Sequence, residues 1–330
     1  MGGKIRAIGL LSGGLDSTLA VRLLQIQDID VIGITFVTPF FGPEAARKAQ
    51  EFLKIPLLIE EITDVYMKKV LTQPKYGYGK NMNPCVDCHG FMFSIAGKRM
   101  RSEGGHFLFS GEVLGERPFS QNRGALRIVA NLSGYPDHIL RPLSAKRLEE
   151  TLPEKEGWVD RSRLLDIQGR SRKPQMELAR EFGLINYPKP AGGCLLTEPN
   201  FSKRLRDLLE HDPEPEVRDL EMLKVGRHIR FDQDAKIVVG RRQEENERLE
   251  RLWQPGDLRL WVKDIPGPVV LVRTSSVPKD DARIFGARLA VRYSDAEPGK
   301  SVEVAYTDGN QEKVIRVSSC EEDEIRKRIL

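Results

Sequence analysis

Short apolar runs alternate with stretches of helical period between residues 4 and 145. Such alternation marks a parallel sheet with helices on both faces, because strands buried on both sides read as continuous Val, Ile and Leu. The runs predict strands over 6–11, 31–35, 57–61, 107–110 and 139–141, and helices over 17–27, 43–53, 64–71, 86–103 and 121–132. From 147 to 193 the chain is polar and helical, with helices expected over 146–152 and 173–182. Residues 200–224 read as a helical connector broken at Asp212-Pro213-Glu214-Pro215. After it come short β-rich runs between turns, over 228–231, 235–239, 258–262, 269–273 and 302–306, with helices over 244–252 and 280–294 and a charged terminal helix after Cys320. The expected fold is α/β: a doubly wound parallel sheet over 1–145, a helical extension and connector over 146–212, and a smaller α+β domain over 213–330.

The first strand breaks into Ser12-Gly13-Gly14-Leu15-Asp16-Ser17 before a helical pattern. A strand entering a small glycine-rich turn and then a helix aims several backbone N–H groups at a phosphate. Gly13 and Gly14 allow close backbone approach, Ser12 and Ser17 add hydroxyl donors, and the helix N-terminus adds an attraction of about 0.3–1 kcal/mol. Asp16 would repel a phosphate unless a cation lies between, so it faces a magnesium-bound nucleotide or fixes the loop. Neither G-x-G-x-x-G nor a Walker sequence is present, which removes two commoner readings of a glycine turn and leaves the plain strand-to-helix turn as the alternative. Right-handed crossovers place a nucleotide at the C-terminal strand edge. Ile34, Thr35 and Phe36 would then lie near an adenine, although Phe36 reads equally well as core.

Composition narrows the setting. Of the 330 residues 40% are hydrophobic and 30% charged, and no apolar run approaches the roughly 20 residues a bilayer span requires. With no signal-peptide pattern either, a cytoplasmic location without a membrane partner is expected. The net charge of +4 permits a nucleic-acid partner without demanding one. Arg161, Arg163, Arg170, Arg172 and Lys173 form the densest basic run, either a solvated face or a track for an RNA backbone. Four cysteines occur. Cys85-Val86-Asp87-Cys88 has the spacing of metal, cluster or redox chemistry, and Cys194 follows the tight Pro188-Lys189-Pro190-Ala191-Gly192-Gly193 stretch. Cys320 reads as an ordinary free thiol.

The Ser12–Ser17 stretch resembles the pyrophosphate-binding loop of the N-type ATP pyrophosphatases, the PP-loop proteins of adenine nucleotide alpha hydrolase-like fold. Ser110-Gly111-Glu112-Val113-Leu114-Gly115-Glu116 with Ser120-Gln121, and Leu140-Arg141-Pro142-Leu143, resemble segments of the tRNA 4-thiouridine synthetases. Asn83-Pro84-Cys85-Val86-Asp87-Cys88 is similar instead to the wobble-uridine 2-thiouridylases. The resemblance covers roughly residues 5 to 200 and is closer to the 4-thiouridine branch. It implies an ATP-dependent tRNA uridine sulfurtransferase in which Ser12 to Ser17, Phe36, Gly111 and Gln121 bind ATP with Mg2+, and Asp16, Cys85, Cys88 and Cys194 are catalytic. A uridine carbonyl oxygen attacks the α-phosphate, pyrophosphate leaves, and sulfur displaces AMP. The three cysteines would hold a 4Fe-4S cluster that presents sulfide on its open iron. A zinc site completed by His89 or His106 and a persulfide relay between Cys194 and Cys85 or Cys88 stay open, as do wobble 2-thiouridine synthesis and adenylation that forms a C–N bond.

The last domain resembles the NFACT-R module, an RNA-associated domain, in Val239-Gly240-Arg241-Arg242 with Asn246 and Glu247, in Asp257-Leu258 and Lys263-Asp264-Ile265-Pro266-Gly267, and in Tyr293-Ser294 with Val304-Ala305-Tyr306-Thr307. Arg242 replaces the asparagine of the usual Gly-Arg-Asn, and Trp261 and Val269 stand where histidines are common. The resemblances imply tRNA as partner, this module taking the place of the usual THUMP-type RNA-binding region. They also imply a separate sulfide or persulfide donor. A homodimer remains open.

Overall fold

The computed structural model describes residues 4–184, 193–274 and 280–330. The chain divides into two compact units, Met1–Glu198 and Pro199–Leu330.

In the first unit the buried runs form β1 (Arg6–Leu10), β2 (Asp30–Val37), β3 (Leu57–Glu61), β4 (Phe107–Ser110) and β5 (Ile139–Leu140). All pair in parallel, in the order β3-β2-β1-β4-β5. Between them lie α1 (Leu15–Gln25), α2 (Glu44–Leu53), α3 (Thr63–Tyr66, continued by a π-helical turn Met67–Leu71), α4 (Cys85–Ser102) and α5 (Arg123–Ser133). Both sheet faces are covered. Ala7, Val31, Phe107 and Phe109 join Ala20, Val21 and Leu24 of α1 and Ala46, Ala49 and Leu53 of α2 in one cluster. The alternate strand residues point the other way, where α4 packs on β1, β4 and α5. Burying four such side chains supplies on the order of 6–12 kcal/mol before entropy is counted. Strand order reverses about β1, whose neighbours β2 and β4 lead to opposite edges, so the crevice beyond Leu10 and Ser110 is a topological switch point.

The doubly wound parallel sheet expected from the sequence is therefore present. One helix is not where the periodicity put it. In place of a helix over 146–152 there is a 3₁₀ turn, Ala145–Arg147, and then α6 (Leu152–Lys155). Pro153 stands in the first turn of α6 and Thr151 with Glu154 forms a reciprocal capping box, so the helix begins where the polar pattern suggested an end. The polar helix α7 (Lys173–Glu181) follows and packs on α1, with Leu178 and Ala179 against Leu15, Leu19 and Leu23.

The second unit opens with α8 (Pro199–His211) and α9 (Val217–Met222), separated at the Pro213 and Pro215 stretch. An antiparallel sheet then runs β11-β10-β8-β9-β7-β6, built from β6 (Arg227–Arg230), β7 (Ala235–Val239), β8 (Leu258–Val262), β9 (Val270–Thr274), β10 (Val302–Thr307) and β11 (Glu312–Val317), with α10 (Gln243–Leu252), α11 (Asp280–Arg292) and α12 (Glu322–Arg326). Ile237, Leu260, Val262, Val270 and Val272 face Phe285, Leu289 and Ile325. Their neighbours Val238 and Leu271 face Met222 and Leu249 on the other side, the period-2 consequence of a two-faced sheet. This is the α+β domain expected after the connector. Its last strand was not expected, because the Glu312–Val317 strand is largely exposed and offers little apolar alternation to read.

Candidate active site

The turn after β1 opens into the switch-point crevice. Gly13 has φ +77°, and a Cβ there would stand 2.1 Å from the Ala45 carbonyl carbon, so the backbone path excludes any side chain. Gly14 caps α1 with φ −74° and ψ 166°, and no side chain satisfies the first N–H groups of that helix. A helix start with free N–H groups and a crowded glycine turn can cradle an anion. The loop is held by its hydroxyls: Ser12 Oγ lies 3.3 Å from Ser17 Oγ and accepts from Gly14 N, while Ser17 Oγ and Thr18 Oγ1 donate to Gly14 O at 3.0 and 2.9 Å. Leu15, expected among the nucleotide-binding residues, has its side chain buried in the core against α7. Gly111, just past β4, belongs to the same construction. A Cβ on it would meet Ser17 N at 2.3 Å and the Asp16 carbonyl carbon at 2.4 Å. It admits the start of α1 to the end of β4.

Four side chains converge beside the cradle. Arg172 Nη2 lies 3.7 Å from Asp16 Oδ2, and Arg172 Nε 3.9 Å from Glu116 Oε1, both too long for hydrogen bonds. Burial raises the Asp16 carboxyl above its usual range, opposed by Arg172 and Arg117. Glu116 is raised likewise, by burial and then by the Asp16 charge. Gln175, fully buried on α7, lies near enough to Asp16 to favour its charge without forming a good hydrogen bond. Asp16 Oδ1, Arg172 Nε, Gln121 Oε1 and both amide atoms of Gln175 are buried with no hydrogen-bond partner among the described residues. Each such group costs about 1–3 kcal/mol. Such groups are normally satisfied by protein, ordered water, an ion or a ligand. Sequence reasoning missed Glu116, Arg117, Arg172 and Gln175 as site residues. The available signal was an uncharged Gln175 at a core position of a polar helix.

The cysteines converge as well. Cys85 begins α4 and accepts from Asn83 Nδ2 at 3.2 Å, and Cys88 lies buried one turn on. Asn81 Nδ2 donates to Thr197 O at 2.6 Å and Leu195 N to Phe40 O at 3.0 Å, which brings the Cys194 segment back across the molecule. Pro188 to Gly192, read as holding Cys194, lie outside the described residues. Burial pushes the Cys194 thiol up to about 12, with Cys85 adding to the shift. Cys88 is pushed higher still, by burial and then by Cys194. The hydroxyl of the fully buried Tyr66, whose own pKa burial and the cysteines raise, lies against the Cys88 thiol. Three mutually sensing thiols match in number the donors of a cluster bound at three irons. Among the described residues, however, no group of three or more His, Cys, Asp or Glu is arranged to hold a metal ion, so ligation would require the thiols to draw together.

Other expected residues fall elsewhere. Phe36 is buried in β2, opposite Glu60 of β3. His106 cannot complete a zinc site with the cysteines: its Nδ1 accepts from Arg6 N at 3.1 Å at the opposite edge of the sheet, and its ring stands edge-on to Trp158. His89 Nδ1 is engaged with Glu112 Oε1 at 2.7 Å. Glu112 Oε2 accepts from Arg141 Nε at 2.9 Å and from Ser110 Oγ at 3.1 Å, and Arg141 Nη2 donates to Leu126 O. Burial works against the Glu112 charge, yet Arg141 and His89 hold its pKa at about 2. This network ties α4, β5 and α5 together. The basic run is partly engaged within the fold, while Arg170 and Lys173 stay exposed. Arg161 pairs with Glu154 and donates to Leu148 O, Arg163 donates to Ile26 O, and Arg172 faces the carboxylates. Cys320 is a buried free thiol in the second unit.

A glycine turn at the switch point of a parallel sheet, with acidic groups beside it, stands where open α/β sheets bind their ligands. Comparison with known proteins finds similarity to tRNA-specific 2-thiouridylases. The chain is 32% identical over 199 residues to the tRNA-specific 2-thiouridylase MnmA of Clostridium acetobutylicum, covering 54% of this chain and 52% of that protein. It is 24% identical over 366 residues to the MnmA of Methylobacterium nodulans, covering 94% and 92%. The chain thus spans about half the length of the former, and 64% of the MnmA 1 of a Thermoanaerobacter species. A family model described as NFACT protein RNA binding domain matches residues 226–329. Among solved structures, a 4-thiouridine synthetase in complex with RNA and bound ATP aligns with TM-score 0.39 and 19% identity, over 66% of this chain and 52% of that one.

Proposed function

We propose that this protein is an ATP-dependent tRNA uridine sulfurtransferase, and the observation that carries the reading is the set of unpartnered buried groups beside the Ser12–Ser17 cradle, in a unit that also gathers three thiols. The backbone N–H groups of 13–17 and the start of α1 receive the β- and γ-phosphates, and the crowding at Gly13 and Gly111 keeps that backbone bare. Asp16 and Glu116 suit Mg2+, which is held through one or two carboxylates together with phosphate oxygens. Gln121 and Gln175 offer the remaining polar contacts. The uridine carbonyl oxygen attacks the α-phosphate, the bond to pyrophosphate breaks, and the pyrophosphate charge is received by the cradle. Sulfur then adds at the activated ring carbon and the former carbonyl oxygen leaves within AMP.

Cys85, Cys88 and Cys194 are the residues that would hold a 4Fe-4S cluster, which when bound supplies an iron on which external sulfide can sit. Burial raises the Cys88 and Cys194 thiols, and a bound cation would favour their thiolates. A persulfide relay through the same thiols is the second reading. It is favoured by their mutual proximity without a preformed ligand group, and it requires a persulfide donor. The position of thiolation follows the relatives' name better than the motifs: Glu112 and Arg141, from the 4-thiouridine-like segments, serve the scaffold, whereas the 2-thiouridylases are the sequence relatives. The NFACT-R-like second unit is proposed to hold the tRNA body. The test is incubation of anaerobically purified protein with MgATP, sulfide and unmodified tRNA, followed by nucleoside mass spectrometry. Thiouridine with equal AMP supports the reading, and the mass-spectrometric retention standard separates 2-thio from 4-thio. AMP release without thiolated nucleoside, under both sulfide and a persulfide donor, would remove it.

A further inference from the structure

Arg172 stands between two carboxylates, 3.7 Å from Asp16 and 3.9 Å from Glu116, and forms a hydrogen bond with neither. Its Nε is buried without a partner, as are Asp16 Oδ1 and both ends of the Gln175 amide. A guanidinium with five donors normally closes on a carboxylate in bidentate fashion at 2.7–2.9 Å. Elsewhere in this chain it does so: Arg230 reaches both oxygens of Asp207 at 2.9 and 2.7 Å, and Arg288 those of Glu324 at 3.1 and 2.8 Å. The loose fit at Arg172 therefore marks a group that balances charge here without being built to bond these oxygens. Its donors match phosphate oxygens, and the two carboxylates match a hard dication. Arg172 and Gln175 sit at the start of α7, packed on α1 behind the cradle.

We propose that Arg172 is a place-holding cation: in the free protein it balances Asp16 and Glu116, and when Mg2+ takes those carboxylates it binds the nucleotide phosphates, with Gln175 completing the contact. The first turn of α7 is thus part of the nucleotide site. This rests on the nucleotide-binding reading above. Because one guanidinium fills two roles, its removal has effects of opposite sign. Without the place-holder the bare carboxylate pair attracts Mg2+ more strongly, while the phosphates lose a charge-assisted donor.

The test is isothermal titration of the whole chain, wild type and Arg172→Gln, with Mg2+ alone and with MgATP, both proteins checked for the same thermal melt. The expected result is MgATP binding weakened by about 10- to 100-fold and Mg2+ binding without nucleotide tightened by about threefold or more. Arg172→Lys, which keeps the charge but not the fork, should restore the wild-type Mg2+ affinity and only part of the MgATP affinity. Gln175→Leu should weaken MgATP and leave Mg2+ unchanged. If wild type binds MgATP and Arg172→Gln binds it equally well, or if both affinities fall together, the place-holder role is wrong. If wild type binds no MgATP, the nucleotide reading itself fails, and this inference with it.

Discussion

Glu112 and Glu116 lie on one loop, and their surroundings could hardly differ more. Glu112 is 5% exposed and accepts from Arg141, His89 and Ser110, each at 3.1 Å or less. Glu116 and Asp16 face the Arg172 guanidinium at distances that bond neither, with the Arg117 charge nearby. The first arrangement is complete, and its energy belongs to the fold. The second leaves Asp16 Oδ1, Arg172 Nε and the Gln175 amide without partners among the described residues. Buried polar groups in a folded chain are expected to be satisfied, so the contrast separates scaffold from site within a few residues of sequence.

Variants sharpen that contrast. The largest expected effect is on chemistry: Asp16→Ala should lower ATP-dependent pyrophosphate release by about 10²–10³-fold. Gly111→Ala, whose Cβ would strike the backbone of Asp16 and Ser17, should cost roughly 10²-fold by displacing the cradle; coupled pyrophosphate assays check both. Next comes stability. Arg141→Ala leaves a buried carboxylate unpaired and should destabilise by about 3–5 kcal/mol in urea unfolding. Asp16→Asn should match wild type or slightly exceed it at neutral pH, because burial makes the ionised form of Asp16 unfavourable.

The two carboxylates also have opposite pH signatures. Glu112 has its pKa depressed from 4.5 to about 2, so its stabilisation is complete above the unfolded value and is lost as pH falls toward the folded one. Glu112→Gln should flatten the acid limb of a stability–pH curve below about pH 5. Asp16 has a raised folded pKa, so its destabilising charge is relieved as pH falls, and Asp16→Asn should remove that relief. The smallest effect belongs to the cysteines as packing. Cys320→Ala should shift unfolding by about 1 kcal/mol or less and leave sulfur transfer intact. Alanine at Cys85, Cys88 or Cys194 should abolish sulfur transfer while ATP titrations stay unchanged.

The sequence made the local features visible and hid those that depend on distant approach. Ser12 to Ser17 is legible because a strand, a glycine turn and a helix start are contiguous. The strand over 107–110 is legible because a buried parallel strand is continuously apolar. Gly111 looked like a ligand contact, and only the structure shows it as the surface on which Asp16 and Ser17 rest. Arg172 read as one charge in a basic run, since nothing local reveals that α7 returns to the mouth of the crevice. Tyr66 could not be linked to cysteines that lie far along the chain until hydrogen bonds from Asn81 and Leu195 closed those loops. The helix expected over 146–152 failed on a capping box that competes with the polar pattern.

The central claim is that the incomplete cluster at Asp16 is the site and the complete network at Glu112 is not. It is tested most directly by measuring tRNA-dependent pyrophosphate release and urea stability side by side for wild type, Asp16→Ala and Glu112→Gln. The account predicts that Asp16→Ala unfolds like wild type and releases pyrophosphate about 10²–10³-fold more slowly. Glu112→Gln should unfold earlier, yet turn over ATP at a comparable rate under conditions where it is folded. Pyrophosphate release by folded Asp16→Ala at the wild-type rate would contradict it.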